Sequence, residues 1–568
     1  MSAQAGRDST CTEILEPLRV TDSDALQWQE HCDVLVLGWG AAGACAALEA
    51  RAGGADVLVA DRFTGGGASA KSGGVVYAGG GTRHQQAAGF NDSPEAMFDY
   101  LKHETQGVVA DATLRRFCDN SVANLQWLES HGAPYGHRMP PGGKTSYPSD
   151  GYFLYYSGNE LVPSHTDRLP PAPRGHRTVG KGQCGAVLYA HLKAACLRAG
   201  VRPLVQAAAR RLVLDGTGRV IGAELWCLPA GSEQAKLHAK WAARAEAWQN
   251  VAPAYCDKLR LRVSQLERDF ARPRLVRARQ GVILSTGGFI FNRELLNQHA
   301  PKFRRNFKVG ATGCDGSGLR LGLSAGAKAQ GLERVSAWRF INPPLSWPKG
   351  IVVNREGQRF CNEEVYGATL GQPLMEEQGG KAWLVLDARL RKKAIFQALF
   401  GGYWWFQSVP ALALMLFKVR KGRSPEDLAR VAGMNPRQLR ESLRAANAAA
   451  RGEALEPFGK SMGSRQVLDR GPFYACDISV TNPIFPLGAL TLGGLKVDET
   501  SGAALDPQGR PIAGLYAAGR SALGIPSHLY ISGLSLADCV FSGRRAGAAI
   551  VQDQALSQPH PNVAVTAS

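Results

Sequence analysis

The sequence predicts an α/β protein, α+β overall, built around a Rossmann-like dinucleotide-binding domain. Three observations predict it. A short apolar strand, Val34 to Leu37, runs directly into Gly38, Gly40 and Gly43 at GxGxxG spacing. An alanine-rich stretch follows, then a second apolar strand, Val57 to Ala60, which ends in Asp61. Two more strands with glycines at their tips, "VILSTGGF" (Val282 to Phe289) and "IAGLYAAGR" (Ile512 to Arg520), stand far away in the chain. At 568 residues the chain exceeds one ordinary core, so two or three domains are expected.

Taken in chain order, each element has a physical reason. Gly38 permits the tight turn after the first strand. Gly40 lets the backbone approach a pyrophosphate, and Gly43 lets helix and strand pack closely. The free N–H groups at the helix start, around Ala41 and Ala42, suit phosphate. Asp61 stands at the distance expected of a ribose-binding acid, with Arg62 beside it. The next stretch, "TGGGASAKSGGVVYAGGGT" (Thr64 to Thr82), is small enough in its side chains to run along a large flat cofactor. Ala68, Ser69 and Ser72, with the backbone of Gly73, Gly74 and Val75, are its candidate contacts. Gly287 and Gly288 end the second glycine-tipped strand, and Gly519 and Arg520 end the third. Three such tips converging on one extended ligand favour FAD over NAD.

Residues 230–275 carry helical charge patterning between two β segments and predict a surface helical hairpin. Residues 398–423, "ALFGGYWWFQSVPALALMLFKVRKGR", join aromatics, an apolar run and a basic end. They are expected to lie on an anionic membrane interface, to cover an apolar pocket, or to form a core helix broken near Pro410. Near the C-terminus, "SHLYISGLSLADCVFSGRRAG" becomes helical from Leu534, where Leu534, Ala537, Val540 and Phe541 recur at helical spacing. Tyr530, Ser532 and Gly533 stand just ahead of that helix, and Ser535 and Leu536 lie in its first turn.

Composition removes several function classes. A hydrophobic content of 45% with 20% charged residues describes a globular protein. The net charge is +18, yet the basic residues are dispersed without a nucleic-acid motif, so no nucleic-acid partner is expected. Peripheral association with an anionic membrane remains compatible with that charge. Twelve cysteines form no CxxC pair and no ligand spacing, so reduced thiols, a cytoplasmic setting and no metal site are expected. The first twenty residues carry no basic-then-apolar leader, and no apolar run approaches the ~20 residues of a spanning helix.

The chain resembles the fumarate reductase/succinate dehydrogenase flavoprotein superfamily, and within it the 3-ketosteroid dehydrogenases, Δ4 branch. The carriers are "GWGAAGACAALEA", "GASAKSGG", "YYSGNE", "STGGF", "GQRFCNEEVYG", "TLGGLKVD", "GLYAAGR" and "YISGLSLADCVFSGRRAG", spread from about residue 33 to 550. The resemblance implies a discontinuous FAD domain, residues 30–305 and 486–553, with an inserted α+β catalytic domain at 306–485 and tails at 1–29 and 554–568. Covalent flavoproteins of the superfamily carry a histidine before the glycine pair placed here at Gly73 and Gly74. This chain has none there, so non-covalent FAD is implied. The arginine-rich dicarboxylate clamp of the fumarate reductases is also missing.

Desaturation beside a ketone needs a base for the α proton, a hydride acceptor, and donors on the ketone oxygen. The resemblance implies Tyr530 as base, Ser532 as relay and Tyr366, from "NEEVYG", on the ketone, with Tyr156 and Gly533 against the substrate. The helix start after Tyr530 is expected to favour phenolate, and through Gly533, Ser535 and Leu536 to face the flavin. Δ1 enzymes carry Tyr-Pro-Gly-Pro-Gly where this chain has "LYISGLS", which implies C4–C5 as the bond oxidised. A Δ1-dehydrogenase, an enone or fumarate-type reductase, and a flavin-binding sensor without turnover are the alternatives. The electron acceptor, the oligomeric state and the 5α or 5β preference are open.

Overall fold

A computed structural model describes residues 10–167 and 170–555. β1 (Glu30–Leu37) is followed by α1 (Ala41–Ala52) and β2 (Val57–Asp61), the parallel unit expected from the glycine spacing. α2 (Gly67–Lys71) leads into β3 (Val75–Tyr77), which forms a small antiparallel sheet with β4 (Leu154–Tyr155) and β5 (Gly175–Arg177). α3 (Gly185–Arg198), β6 (Arg202–Val205), β7 (Ala207–Leu214) and β8 (Val220–Cys227) follow. The hairpin α4 (Glu233–Trp248) and α5 (Pro253–Phe270) then precedes the long strand β9 (Arg272–Leu284).

After α6 (Ser317–Ser324) and β10 (Val335–Trp338), the chain builds a second unit. β11 (Ile351–Val353), α7 (Gly367–Glu376), β12 (Trp383–Leu386), α8 (Ala388–Phe400), α9 (Trp405–Leu416) and β13 (Val419–Gly422) come first. α10 (Pro425–Ala432), α11 (Pro436–Arg451) and β14 (Phe473–Asp477) complete it. Strands β11, β12, β14 and β13 form an antiparallel sheet of their own in that order. Ser424 and Asn435 cap α10 and α11, each with proline at the first helical position, as their sequences dictate. β15 (Gly488–Thr491), β16 (Ala503–Leu505), β17 (Pro511–Ala517) and α12 (Leu534–Ala555) close the chain.

β16 and β17 rejoin the first sheet, so that domain is discontinuous. Parallel pairing sets Leu284 of β9 opposite Leu37 of β1 on one side and opposite Ala517 of β17 on the other. The three glycine tips therefore leave the same edge of the sheet at the same level. Alternation divides the core: Val34 and Val36 face the helical layer of α1, α3 and α12, while Leu35 and Leu37 face the other side. α12 reaches α1 closely because Gly543 and Gly547 lack side chains. A Cβ at either would come within 2.5 Å of the Ala42 carbonyl oxygen or 2.3 Å of the Ala46 one.

Two expectations are corrected. Residues 10–29 are not a loose tail: the strand Leu18–Arg19 pairs with β7, and the Thr12 N–H donates to Asp315 at 2.7 Å. Residues 230–275 fold as the hairpin α4–α5, and its helices are tied to the first sheet. Glu267 binds Arg62 at 2.9 Å and His238 at 2.9 Å, and Thr312 N–H donates to Glu246 at 2.7 Å, so the hairpin latches onto the end of β2. The break in 398–423 falls at Gly401–Gly402, where Gly402 adopts φ +66°, and Pro410 lies inside α9. The expected tail at 554–568 lies almost entirely outside the described residues.

Candidate active site

At the sheet edge, Gly38 (φ +101°) leaves β1, and a Cβ there would sit 2.6 Å from the Ser285 carbonyl oxygen. A Cβ on Gly43 would meet the Gly38 oxygen at 1.9 Å, so that glycine is required by helix–strand packing. Gly40 differs. Its φ is ordinary, and a Cβ would meet nothing closer than Ser69 Oγ at 3.5 Å. The protein itself does not demand a glycine there; an external ligand approaching the N-terminus of α1 does. Ser69 Oγ accepts the Ala41 N–H at 3.0 Å on that same edge. Asp61 accepts N–H groups from Trp39 and Phe63, each at 2.8 Å, and so braces the loop.

The other two tips complete the cradle. A Cβ on Gly519 would come within 2.9 Å of Ala42, and the Arg520 guanidinium lies against Gly287 and Gly288. Arg520 donates to Cys314 Sγ at 3.3 Å, while its buried Nη1 has no hydrogen-bond partner among the described residues. The N–H groups of Ser535 and Leu536, at the start of α12, likewise meet no acceptor among the described residues. An open glycine over one helix end, unsatisfied donors at another and an unpartnered guanidinium N–H suit a long anionic dinucleotide. The donor set fits FAD.

Beside this cradle lies a cluster of aromatic rings and hydroxyls. Tyr530 stacks on Trp338 with centroids 4.9 Å apart, and Tyr366 meets Phe340 edge-on at 5.3 Å. Tyr155 and Ser532 are hydrogen-bonded, hydroxyl to hydroxyl, at 3.0 Å. Gly533 turns the chain into α12 at φ +92°, where a Cβ would strike the Tyr77 nitrogen at 2.8 Å. Asn159 ties the two units together. It accepts the Tyr366 N–H at 2.7 Å and donates to Glu104 at 3.0 Å and Thr369 at 2.9 Å.

Burial dominates the electrostatics. It pushes the Tyr530 phenol up to about 12, although Arg520 and the Gly533 backbone N–H both favour the phenolate. The helix end therefore acts in the expected direction, but desolvation outweighs it. Burial, then the phenols of Tyr530 and Tyr155, hold Tyr366 well above the ordinary tyrosine range. Tyr155 is also raised by burial, against the pull of its Ser532 hydrogen bond.

The family model described as "FAD binding domain" matches residues 33–530. A curated 3-oxo-5-alpha-steroid 4-dehydrogenase of Comamonas testosteroni is 49% identical over 527 residues, 90% of this chain and 96% of that protein. The chain belongs to the FAD-binding flavoprotein dehydrogenases, with the 3-oxosteroid 4-dehydrogenases. A crystal structure of 3-ketosteroid-Δ4-(5α)-dehydrogenase from Rhodococcus jostii RHA1, in complex with 4-androstene-3,17-dione, superposes with a TM-score of 0.79 at 28% identity, covering 94% of this chain and all of that one. A 3-oxosteroid 1-dehydrogenase of Mycolicibacterium smegmatis is more distant, 27% identical over 88% of this chain and 94% of that protein. This flavoprotein is an FAD-dependent oxidoreductase.

Most of the residues singled out in the sequence gather at this edge. Ser72 and Gly74 shape the turn before β3, where Gly74 N–H donates to Ser72 Oγ at 3.2 Å. Gly73 takes a hydrogen bond on its carbonyl from Tyr147 at 2.9 Å, and Val75 packs beneath Gly533. Ala68 packs on the core behind them. Two of the expected site side chains are engaged by protein neighbours. The Arg62 side chain is taken up by Glu267 and Asp315, at 2.9 and 3.1 Å. Tyr156 turns its ring to Phe90, 6.0 Å away, because neighbouring strand residues point to opposite faces. Tyr155 is the one that faces Ser532. Trp338 carried no sequence signal, since an aromatic in a short strand reads as ordinary core.

Proposed function

We propose that this protein oxidises the C4–C5 bond of a 3-oxo-5α-steroid to the 4-ene, with non-covalent FAD as its cofactor. The observation that carries the reading is Tyr530, stacked on Trp338 next to the Tyr155–Ser532 hydroxyl pair and Tyr366. Flat aromatic walls suit a fused-ring ketone, and hydroxyls at one end suit its polar terminus. The preference for a 5α hydrogen is supported by the names of the Comamonas and Rhodococcus relatives.

Tyr530 takes the proton from C4, the acidic carbon beside the ketone, and Ser532 passes it to Tyr155 across their hydrogen bond. Tyr366 and the Gly533 N–H hold the C3 oxygen as negative charge develops on it. FAD, held in the cradle, would supply the acceptor for the hydride of C5. Gly40, Ala41, Ser69 and Asp61 would hold its adenosine diphosphate part, and Arg520, Ser535 and Leu536 would offer N–H groups to its charged regions. The stretch Thr64 to Thr82 holds no histidine, which supports a non-covalent flavin. Turnover would then require a separate electron acceptor.

The division into residues 30–305 and 486–553 for FAD and 306–485 for catalysis belongs to the same reading. No helix among the described residues is long and apolar enough to cross a membrane. A cytoplasmic place, peripheral to an anionic membrane face, fits the net charge of +18. The reading is tested by incubating the purified yellow protein with 5α- and 5β-3-ketosteroids and an artificial acceptor, then assigning the product double bond by NMR. A C4=C5 enone from the 5α steroid is expected. A C1=C2 product, or no product from either isomer, would overturn it.

A further inference from the structure

α8 and α9 carry a large apolar surface that nothing in the described chain covers. Phe396, Leu399 and Phe400 on α8 are 61, 56 and 71% exposed. Trp405 and Val409 on α9 are 62 and 57% exposed, and Phe417 just beyond it is 79% exposed. Helical spacing groups them: Phe396 is one turn before Phe400 with rings 5.0 Å apart, and Trp405 is one turn before Val409. Isolated exposed apolar side chains are ordinary, but six large ones on a single helical hairpin, two of them paired ring to ring, mark an interaction surface.

Charge identifies what covers it. From 388 to 423 the sequence contains eight lysines and arginines and no acidic residue. Lys392 and Lys393 precede the first phenylalanine of the group, and Lys418, Arg420, Lys421 and Arg423 follow the last. These six are exposed, and none forms an ion pair among the described residues. A second copy seated here by two-fold symmetry would bring two basic sets together. A leaflet of anionic lipid neutralises them, and its headgroup zone is the natural depth for tryptophan and phenylalanine on an interfacial helix.

The hairpin also touches both walls of the candidate site. Ser149 Oγ donates to the Gly402 carbonyl at 2.9 Å, and Gln407 donates to the Tyr147 carbonyl at 3.4 Å. Tyr147 is the residue whose hydroxyl holds Gly73. On the other side, Gln397 of α8 accepts from Ser346 at 2.8 Å, eight residues after the Trp338 that stacks on Tyr530.

We propose that the α8–α9 hairpin seats the protein on an anionic lipid leaflet, and that the substrate enters the site from that leaflet. The second half rests on the steroid reading above; the first does not. The test is co-sedimentation of the FAD-loaded protein with phosphatidylcholine vesicles and with vesicles containing phosphatidylglycerol, at low and raised salt. The expected result is pelleting with phosphatidylglycerol vesicles, weak pelleting with phosphatidylcholine, and release by salt. The double variant Phe400→Glu/Phe417→Glu should bind at least tenfold more weakly, while its turnover of carrier-solubilised steroid stays unchanged. Its turnover of vesicle-loaded steroid should fall about tenfold. If that variant does not fold with flavin, Lys418→Ser/Lys421→Ser replaces it, with the same expectations.

A protein that stays in the supernatant with phosphatidylglycerol vesicles, or variants that pellet as well as the parent, would overturn the proposal. So would a concentration-dependent dimer that the phenylalanine variants abolish, because the face would then join two copies. Pelleting without any steroid turnover would refute the steroid reading and leave the docking surface standing.

Discussion

Tyr530 sits under opposing influences. Burial raises its phenol to about 12, and Arg520 with the Gly533 N–H pulls the other way. Far below that value, the ionised fraction of a base grows tenfold per pH unit. The expected kcat/KM therefore climbs about tenfold per pH unit between roughly pH 7 and 9, without a plateau in that window. A plateau below pH 9 would assign the essential base to another group. At this scale the sequence was legible where a motif names a residue and blind where only the pleat decides. Tyr530, Ser532 and Tyr366 stand in recognisable segments. Choosing Tyr155 over Tyr156 required strand β4 to be built, since a shift of one residue reverses the face.

Among elements, the start of α12 and the α4–α5 hairpin do most to shape the site. The hairpin latch depends on Glu267. Burial would raise its carboxyl, but Arg62 and then His238 overcome that and hold it at about 2. Because its folded pKa lies below the ordinary glutamate value of 4.5, the latch contributes stability above pH ~4.5 and loses it as pH falls toward 2. Glu267→Gln is therefore expected to destabilise the protein by about 3 kcal/mol at pH 7. The gap between variant and parent should stay nearly constant from pH 7 to about 5 and close between pH ~4.5 and ~2, measured by thermal unfolding across that range. An equal gap at every pH would remove the ion pair from the account. The hairpin helices were legible from charge patterning, but the Arg62–Glu267 pair that latches them joins residues 205 positions apart, which no local pattern encodes. In α8–α9 the glycine pair ends the first helix, whereas Pro410 is accommodated inside the second; a breaker residue alone does not fix where a helix stops.

For the whole molecule, register does what no single motif does. Leu37, Leu284 and Ala517 stand level in adjacent parallel strands, and so three glycine tips from three parts of the chain meet at one edge. The convergence was inferable from the repeated strand-then-glycine pattern, although the order of strands was not. The second unit was legible as an insertion through family resemblance, while its antiparallel sheet and its exposed apolar hairpin emerge only from packing. The basic residues flanking the apolar run of 398–423 were legible in the sequence, but that the apolar side chains between them stay exposed is a property of the fold.

The central claim is that the residues ahead of α12 perform proton removal next to the FAD cradle. The most direct measurement is anaerobic flavin reduction, followed by stopped-flow absorbance after mixing with a 3-oxo-5α-steroid, for the parent and Tyr530→Phe. The account predicts rapid bleaching in the parent, and a rate lower by about 10²- to 10⁴-fold in the variant with flavin content unchanged. Full-rate bleaching in Tyr530→Phe would contradict it.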